Sequence, residues 1–484
     1  MFWRGVIGYL PVNIVQGVVG LLTIVVFTRV LSPADYGAYA LAFSVMSLVH
    51  TLVFTWLEAA MSRFHAAEAE AGRLPDHFAT LYRTYAALAA AFGLVVAPTL
   101  WLWHMAAPLK VAIGAGLASI LVRSLLKLAQ ERRRAAGDVT GAALIDVGQT
   151  AGGFAIGAVL AILGLGGAAP LIGLGAAAAV CLIWALPAEL PRSAGGRFET
   201  SRARLYAAYG LPLSLSLILA LVLATTDRFV LAAYLGETSV GVYHAGYSLA
   251  NRTLDVMFIW LGMAGGPAAV SALERGGRPA LHALARQQAS LMVALTLPAA
   301  VGLALVARPL AALMVGPGLR DGAAEVTPWI AASAFLSGMT VYYFHTAFTL
   351  ARRTRLLMLC MCLPAAANLA LNLVLVPRFG LQGALWATLA SYGLGAVASF
   401  GLGRLALPLP APWMSLAKAA LASFGMALAV SLVPSSGGIL ELSVKACLGA
   451  LVYAALAIGL DIGEIRRHLP RLMRALQAKL AQAA

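Results

Sequence analysis

The chain has 484 residues, 61% of them hydrophobic and 11% charged, with a mean hydropathy of +0.87. A soluble domain is about 45–50% apolar and about 25% charged, so no aqueous core could bury this much apolar surface and lipid must be the solvent for most of the chain. That excludes a secreted protein, a cytosolic enzyme and a nucleic-acid-binding domain; the net charge of +15 is the Lys and Arg excess that membrane proteins carry in cytoplasmic loops.

A helix crossing the ~30 Å hydrocarbon core needs about 20 mostly apolar residues. Broken at Gly, Pro and charge clusters, the sequence predicts fourteen such spans: 7–30, 37–61, 80–104, 109–130, 138–163 and 168–189, then 207–234, 240–271, 284–307, 322–350, 356–376, 380–403, 413–433 and 441–460. The first follows a single basic residue, Arg4, and is too long for a signal-peptide core, so it reads as a retained transmembrane helix. Strand-like alternation is absent, which excludes a lipid-facing β-barrel. Cys181, Cys360, Cys362 and Cys447 all lie in apolar runs and read as small packing residues, not as a disulfide or zinc framework.

With the N-terminus in the cytoplasm, 26 of the 34 basic residues fall on the inner side. Six fall outside (Arg29, Lys110, Arg308, Arg320, Arg378 and Lys445), and Arg228 and Arg252 lie within spans. The bias places both termini in the cytoplasm and supports an even helix count. The tail, with Ile465, Leu469, Leu472, Leu476 and Leu480 among five basic residues, reads as an amphipathic helix on the anionic inner leaflet.

An internal repeat organises the spans. Leu31, Gly37, Tyr39, Phe43 and Ser44 recur at a constant offset of 204 as Leu235, Gly241, Tyr243, Tyr247 and Ser248. Both copies sit at a tight outer turn between an outgoing and a returning helix, so the repeat is parallel. The predicted architecture is an all-α polytopic membrane protein with two pseudo-symmetric six-helix lobes, residues 1–200 and 201–405. Two more helices (406–462) and the cytoplasmic tail (463–484) complete it.

Three segments carry a family resemblance. Thr28-Arg29-Val-Leu-Ser-Pro-Ala-Asp-Tyr-Gly-Ala-Tyr-Ala-Leu is one, and Asp227-Arg228 followed by Gly241-Val-Tyr243 and Gly246-Tyr-Ser-Leu249 is the second. The third runs from Asn368 through Asn372, Pro377 and Gly380 to Gly383. Over about residues 5–405 the chain resembles the polysaccharide transporter (Wzx-type flippase) family, in the superfamily that includes multidrug/cation antiporters and the peptidoglycan-lipid flippase. The resemblance implies a MATE-like fold working by alternating access, with membrane lipids around it in the bacterial cytoplasmic membrane. It implies a polyprenyl-diphosphate-linked oligosaccharide as substrate, moved from the inner to the outer leaflet, with polysaccharide polymerase or export proteins as partners and no cofactor beyond a coupling Na⁺ or H⁺.

Polar residues inside spans cost about 2.5–3.5 kcal/mol each on insertion scales when ionisable, so each needs a reason. Arg252 is about 12 residues into the eighth span, roughly 18 Å from its end, too deep to reach headgroups. Arg123 lies in the fourth. Both suit a diphosphate, and each has an alternative: pairing with Asp255 for Arg252 and with Asp146 for Arg123. Gln16 and His50 are candidate sugar or diphosphate contacts, or packing residues. Asp227, Asn368, Asn372 and Thr388 fall in one outer-half layer and supply oxygen ligands suited to Na⁺; the alternative is an inter-helix hydrogen-bond network. In part of the peptidoglycan-lipid branch a similar spacing forms a sodium site, with an acid where this chain has Asn372. No nucleophile–base or metal constellation points to an enzyme. The competing functions are an antiporter of small organic cations or drugs, which the arginines oppose, and a non-transporting scaffold of a polysaccharide-export complex.

Overall fold

A computed structural model of the chain describes residues 2–435, 437–464 and 466. Every described element is helical, and the chain divides into two compact units, Met1–His244 and Ala245–Ala484.

In the first unit, α1 (Phe2–Val30) and α2 (Pro33–Val53) meet at a turn whose sequence prescribes its geometry. Ser32 caps α2 by accepting from the Asp35 N–H at 3.1 Å and donating to the Asp35 carboxylate at 2.6 Å, with Pro33 in the first turn. The predicted span 37–61 is interrupted at Phe54, where one tight turn separates α2 from α3 (Thr55–Glu70). The Phe54 ring, 1% exposed, wedges between Tyr85 and Phe92, and that packing holds the break. Next come α4 (Leu74–Leu102), α5 (Ala107–Ala135), α6 (Val139–Ile162), α7 (Ala169–Glu189) and α8 (Thr200–Leu235). Helices α6 and α7 approach closely where glycines line their contact: a Cβ on Gly173 would overlap the Gly157 amide and the Gly153 carbonyl.

The two copies of the repeated turn pack on each other within this unit. α8 stops at Gly236, which adopts φ 81°, and α9 (Glu237–Leu305) begins directly after it. A Cβ on Gly37 would overlap the Glu237 carbonyl and stand 3.0 Å from the amide nitrogen of Gly241, its own counterpart in the repeat.

The second unit continues α9, which doubles back at Gly277 (φ 64°, ψ −159°). It adds α10 (Ala307–Met314), α11 (Arg320–Met339), a wide π turn over Thr340–Phe344 and α12 (His345–Leu350). α13 (Thr354–Ala406) reverses at Gly380 (φ 59°, ψ −135°), and α14 (Trp413–Ser431) and α15 (Gly438–Gly459) follow. Positive φ at both reversals explains why glycine stands there.

Among the described residues, eleven helices are long and apolar enough to span a membrane. Two of them are double, broken at Gly277 and Gly380, and the 320–350 segment completes the fourteen expected. Their outward faces are apolar: Leu94 is 77%, Trp101 79% and Val397 70% exposed, as a surface solvated by lipid requires. The predicted basic tail lies, apart from residues 463, 464 and 466, outside the described residues.

Candidate functional site

The break at Phe54 turns the end of α2 and the start of α3 toward the same stretch of α5. His50 Nε2 stands 3.0 Å from Glu58 Oε1, although Glu58 is only 8% exposed. On its other side His50 Nδ1 is 3.3 Å from Ser124 Oγ. The Ser124 hydroxyl donates its one proton to the Ile120 carbonyl at 2.5 Å, so it accepts from Nδ1.

Arg123 is the neighbour of this pair on α5. Its Nη1 donates to the Met46 sulfur at 3.4 Å, a weak acceptor, and its Nε is buried with no hydrogen-bond partner. Among the described residues no carboxylate lies within 4 Å of the guanidinium; Glu58, already facing His50, acts on it only at longer range.

The alternative partner proposed for Arg123 is corrected here. Asp146 pairs with Arg134, at 2.6 Å. Helical side chains lean toward the N-terminus of their helix. α5 runs toward the α5–α6 turn, so its side chains lean away from that turn; α6 starts there, so its side chains lean toward it. Arg134 and Asp146 therefore lean toward each other, while Arg123 leans away. Arg252 likewise forms no ion pair within 4 Å with Asp255, whose carboxylate accepts from Asn251 Nδ2 at 2.5 Å; Arg252 itself is exposed on α9. Gln16 is exposed on α1 and shares no hydrogen bond with the Arg123 cluster among the described residues.

The four oxygen donors are divided between the units. Asp227, 1% exposed on α8, accepts from the Tyr243 hydroxyl at 2.6 Å. Asn368 and Asn372 are fully buried in the first arm of α13. Asn372 Nδ2 donates to the Asn368 carbonyl at 2.9 Å and to its Oδ1 at 3.2 Å. Thr388, on the returning arm, donates to the Ala384 carbonyl at 2.8 Å. Gly395 faces Pro364 and Gly383 faces Leu375 and Val376, an antiparallel register that sets Asn368 level with Ser391 and Asn372 level with Ala387 and Thr388. The second unit thus gathers amide and hydroxyl oxygens within about one helical turn of α13.

An ionic cluster not foreseen from the sequence ties α5 to α7. Arg132, 6% exposed in its side chain, makes a two-pronged contact with Glu189, 2% exposed, and Arg133 Nε reaches the same carboxylate at 3.4 Å. The run Arg132–Arg134 is visible in the sequence as a basic turn, but nothing there points to an acid 57 residues away.

Three solved structures share this fold across most of their length. The lipid II flippase MurJ in an inward closed conformation superposes with a TM-score of 0.73 at 14% identity, covering 93% of this chain and 98% of that one. An inward-facing multidrug resistance MATE family transporter of the MOP superfamily gives 0.63 at 14% identity, covering 80% and 97%. A Vibrio cholerae MATE transporter, VcmN, gives 0.52 at 15% identity, covering 83% and 93%. At such identity the likeness establishes the fold. No curated protein sequence matches the chain. The fold is thus MurJ- and MATE-like, and residues 26–318, more than half of the sequence, match the polysaccharide biosynthesis protein family, to which the chain belongs.

Proposed function

We propose that the protein moves a polyprenyl-diphosphate-linked oligosaccharide from the inner to the outer leaflet of a bacterial cytoplasmic membrane, by alternating access of lobes 1–200 and 201–405, for cell-surface polysaccharide synthesis. The observation that carries this reading is Arg123, a guanidinium inside a membrane span with a buried, unpartnered nitrogen and no carboxylate within 4 Å among the described residues. Burying an ion without a counter-ion costs several kcal/mol, and a diphosphate offsets that cost while accepting parallel N–H bonds from the planar fork. His50 lies beside it for sugar or diphosphate contact, and Arg252 and Gln16, both exposed, are assigned as further contacts. Membership of a polysaccharide biosynthesis family and the likeness to a protein described as a lipid II flippase support a lipid-linked sugar cargo.

An antiporter of organic cations would instead need an uncompensated acid at this depth; here Glu58 faces His50 and the uncompensated charge is positive. Asp227, Asn368, Asn372 and Thr388 are assigned to a coupling cation, Na⁺ or H⁺. Cytoplasmic termini and polymerase or export partners belong to the same reading.

The test is reconstitution into liposomes with a fluorescent polyprenyl-diphosphate oligosaccharide, scoring leaflet transfer for wild type, Arg123→Ala and Arg252→Ala under Na⁺, pH and voltage gradients. Transfer by wild type that falls at least tenfold in folded Arg123→Ala is expected. Undiminished transfer in Arg123→Ala removes that arginine from the path. No transfer by folded wild type under any gradient overturns the flippase reading.

A further inference from the structure

In the second unit, away from the residues assigned to cargo, a cavity of about 820 Å³ with six charged residues in its lining opens where the end of α9, α10, the start of α11 and the start of α15 converge. Its charged lining comprises Arg308, Arg320, Asp321, Glu325, Glu441 and Lys445. Glu441 and Lys445 neutralise each other at 2.5 Å. The other four do not: among the described residues none of Arg308, Arg320, Asp321 or Glu325 has an opposite charge within 4 Å, and Arg320 Nε is buried with no hydrogen-bond partner. Two cations and two carboxylates therefore face one space without closing on one another.

A second, apolar groove of about 360 Å³ adjoins this cavity, sharing Leu305 and Lys445 with it. It runs from Val306, just past α9, back along α9 to Ala294, against Met426 and Val430 of α14 and Gly449 and Tyr453 of α15. Twelve residues of helix make it about 18 Å deep, on the order of half the ~30 Å hydrocarbon core. At the deep end the Tyr453 hydroxyl donates to the Ala294 carbonyl at 2.7 Å, which satisfies both groups and closes the groove with apolar surface. Gly302 lines it with nothing within 4 Å of where its Cβ would stand.

We propose that these joined spaces bind one membrane phospholipid with an amine-bearing zwitterionic headgroup, of the phosphatidylethanolamine type. The phosphate bridges Arg308 and Arg320, the ammonium donates to Asp321 and Glu325, and an acyl chain fills the groove. The equal count of uncompensated positive and negative groups selects a zwitterion over an anionic lipid. Carboxylates that accept N–H bonds select a primary ammonium over a quaternary one, which has no N–H to give. The depth of the groove fits a chain confined to one leaflet. The site is independent of the cargo assignment, and its readout is lipid retention, so it stands or falls apart from the flippase reading.

The experiment is native mass spectrometry of the full-length protein released from detergent after equilibration with equimolar phosphatidylethanolamine, phosphatidylcholine and phosphatidylglycerol. Wild type is expected to retain phosphatidylethanolamine about tenfold over the other two. Arg320→Ala lowers that retention about tenfold. The double change Asp321→Asn and Glu325→Gln shifts preference to phosphatidylglycerol, and Gly302→Leu, which fills the groove, lowers retention of all three. Equal retention of the three lipids by wild type, or a preference for phosphatidylglycerol, overturns the proposal. So does unchanged selectivity in the carboxamide double variant, a readout that holds even where Arg320→Ala fails to fold.

Discussion

Replacing Arg123 with methionine is expected to make the protein harder to unfold and less able to move its cargo. The substitution removes one N–H donated to the Met46 sulfur at 3.4 Å, a weak acceptor whose bond is worth under ~1 kcal/mol. It also removes a charge held away from water, and exchanging buried ionic groups for apolar side chains of similar volume is neutral or stabilising by ~1–4 kcal/mol. Because Arg123 retains partial exposure, the lower part of that range applies, about 1–2 kcal/mol net. For transport, a hydrogen bond to a charged group is worth about 1.5–3 kcal/mol, which at ~1.4 kcal/mol per factor of ten predicts a loss of roughly 10- to 150-fold. Unfolding titrations in mixed micelles give the first number and leaflet transfer in liposomes the second. Arg123→Lys keeps the charge without the fork and should fall between wild type and methionine in transport. A structural arginine behaves oppositely: if Arg123→Met loses more than ~1 kcal/mol of stability, the guanidinium is holding the helices together and the cargo assignment is refuted.

Three further outcomes follow from the same unit. Glu189→Ala leaves Arg132 and Arg133 buried without their shared counter-ion and should cost about 3–5 kcal/mol, most of it recovered in Glu189→Met/Arg132→Met; a loss under ~1 kcal/mol in the same titration would mean that water reaches the cluster. Gly37→Val drives a side chain into the Glu237 carbonyl and should cost at least ~1–3 kcal/mol by overpacking, whereas Gly93→Ala, with nothing within 4 Å of its Cβ, should be neutral or stabilising by up to ~1 kcal/mol; equal effects at the two sites would contradict the packed turns. His65, on α3 beyond the predicted span, has its pKa held below the ordinary value of 6.5 by burial first and by Arg132 second. The unfolded chain then binds the extra proton more readily, so stability falls as pH drops below about 6.5. His65→Gln should flatten that slope, and an unchanged pH profile would assign the dependence to other groups.

What the sequence reveals of the fold is what lipid dictates. Each span must satisfy its backbone internally and turn an apolar face outward, so the fourteen helices are legible from hydropathy, and the reversals at Gly277 and Gly380 from the residue they require. The repeat is legible too: Gly37 and Gly241, matched by offset alone, stand against each other. The breaks at Phe54 and Thr340–Phe344 are not, because no Gly or Pro marks them. The Phe54 turn is held by Tyr85 and Phe92, more than 30 residues away. Without that break the approach of His50 to Glu58 could not be read from their spacing of eight.

Partner choice among charges was the least legible feature, and it decides the candidate site. Arg123 and Arg134 are eleven residues apart, about 20° around α5 at 3.6 residues per turn, so they share a face. Measured along the hairpin from the α5–α6 turn, Asp146 stands at an intermediate height. Depth alone does not choose between them; the lean of the Cα–Cβ bonds does. Asp146 closes on Arg134 at 2.6 Å, Glu189 is taken by Arg132 and Arg133, and Glu58 faces His50 at 3.0 Å. In each of these pairs the acid has its partner elsewhere on the unit, and the arginine in the membrane span is left facing a thioether. Among the described residues that cation has no carboxylate within 4 Å, with Glu58 acting on it only at longer range, and the anionic cargo proposed above would supply the missing counter-charge.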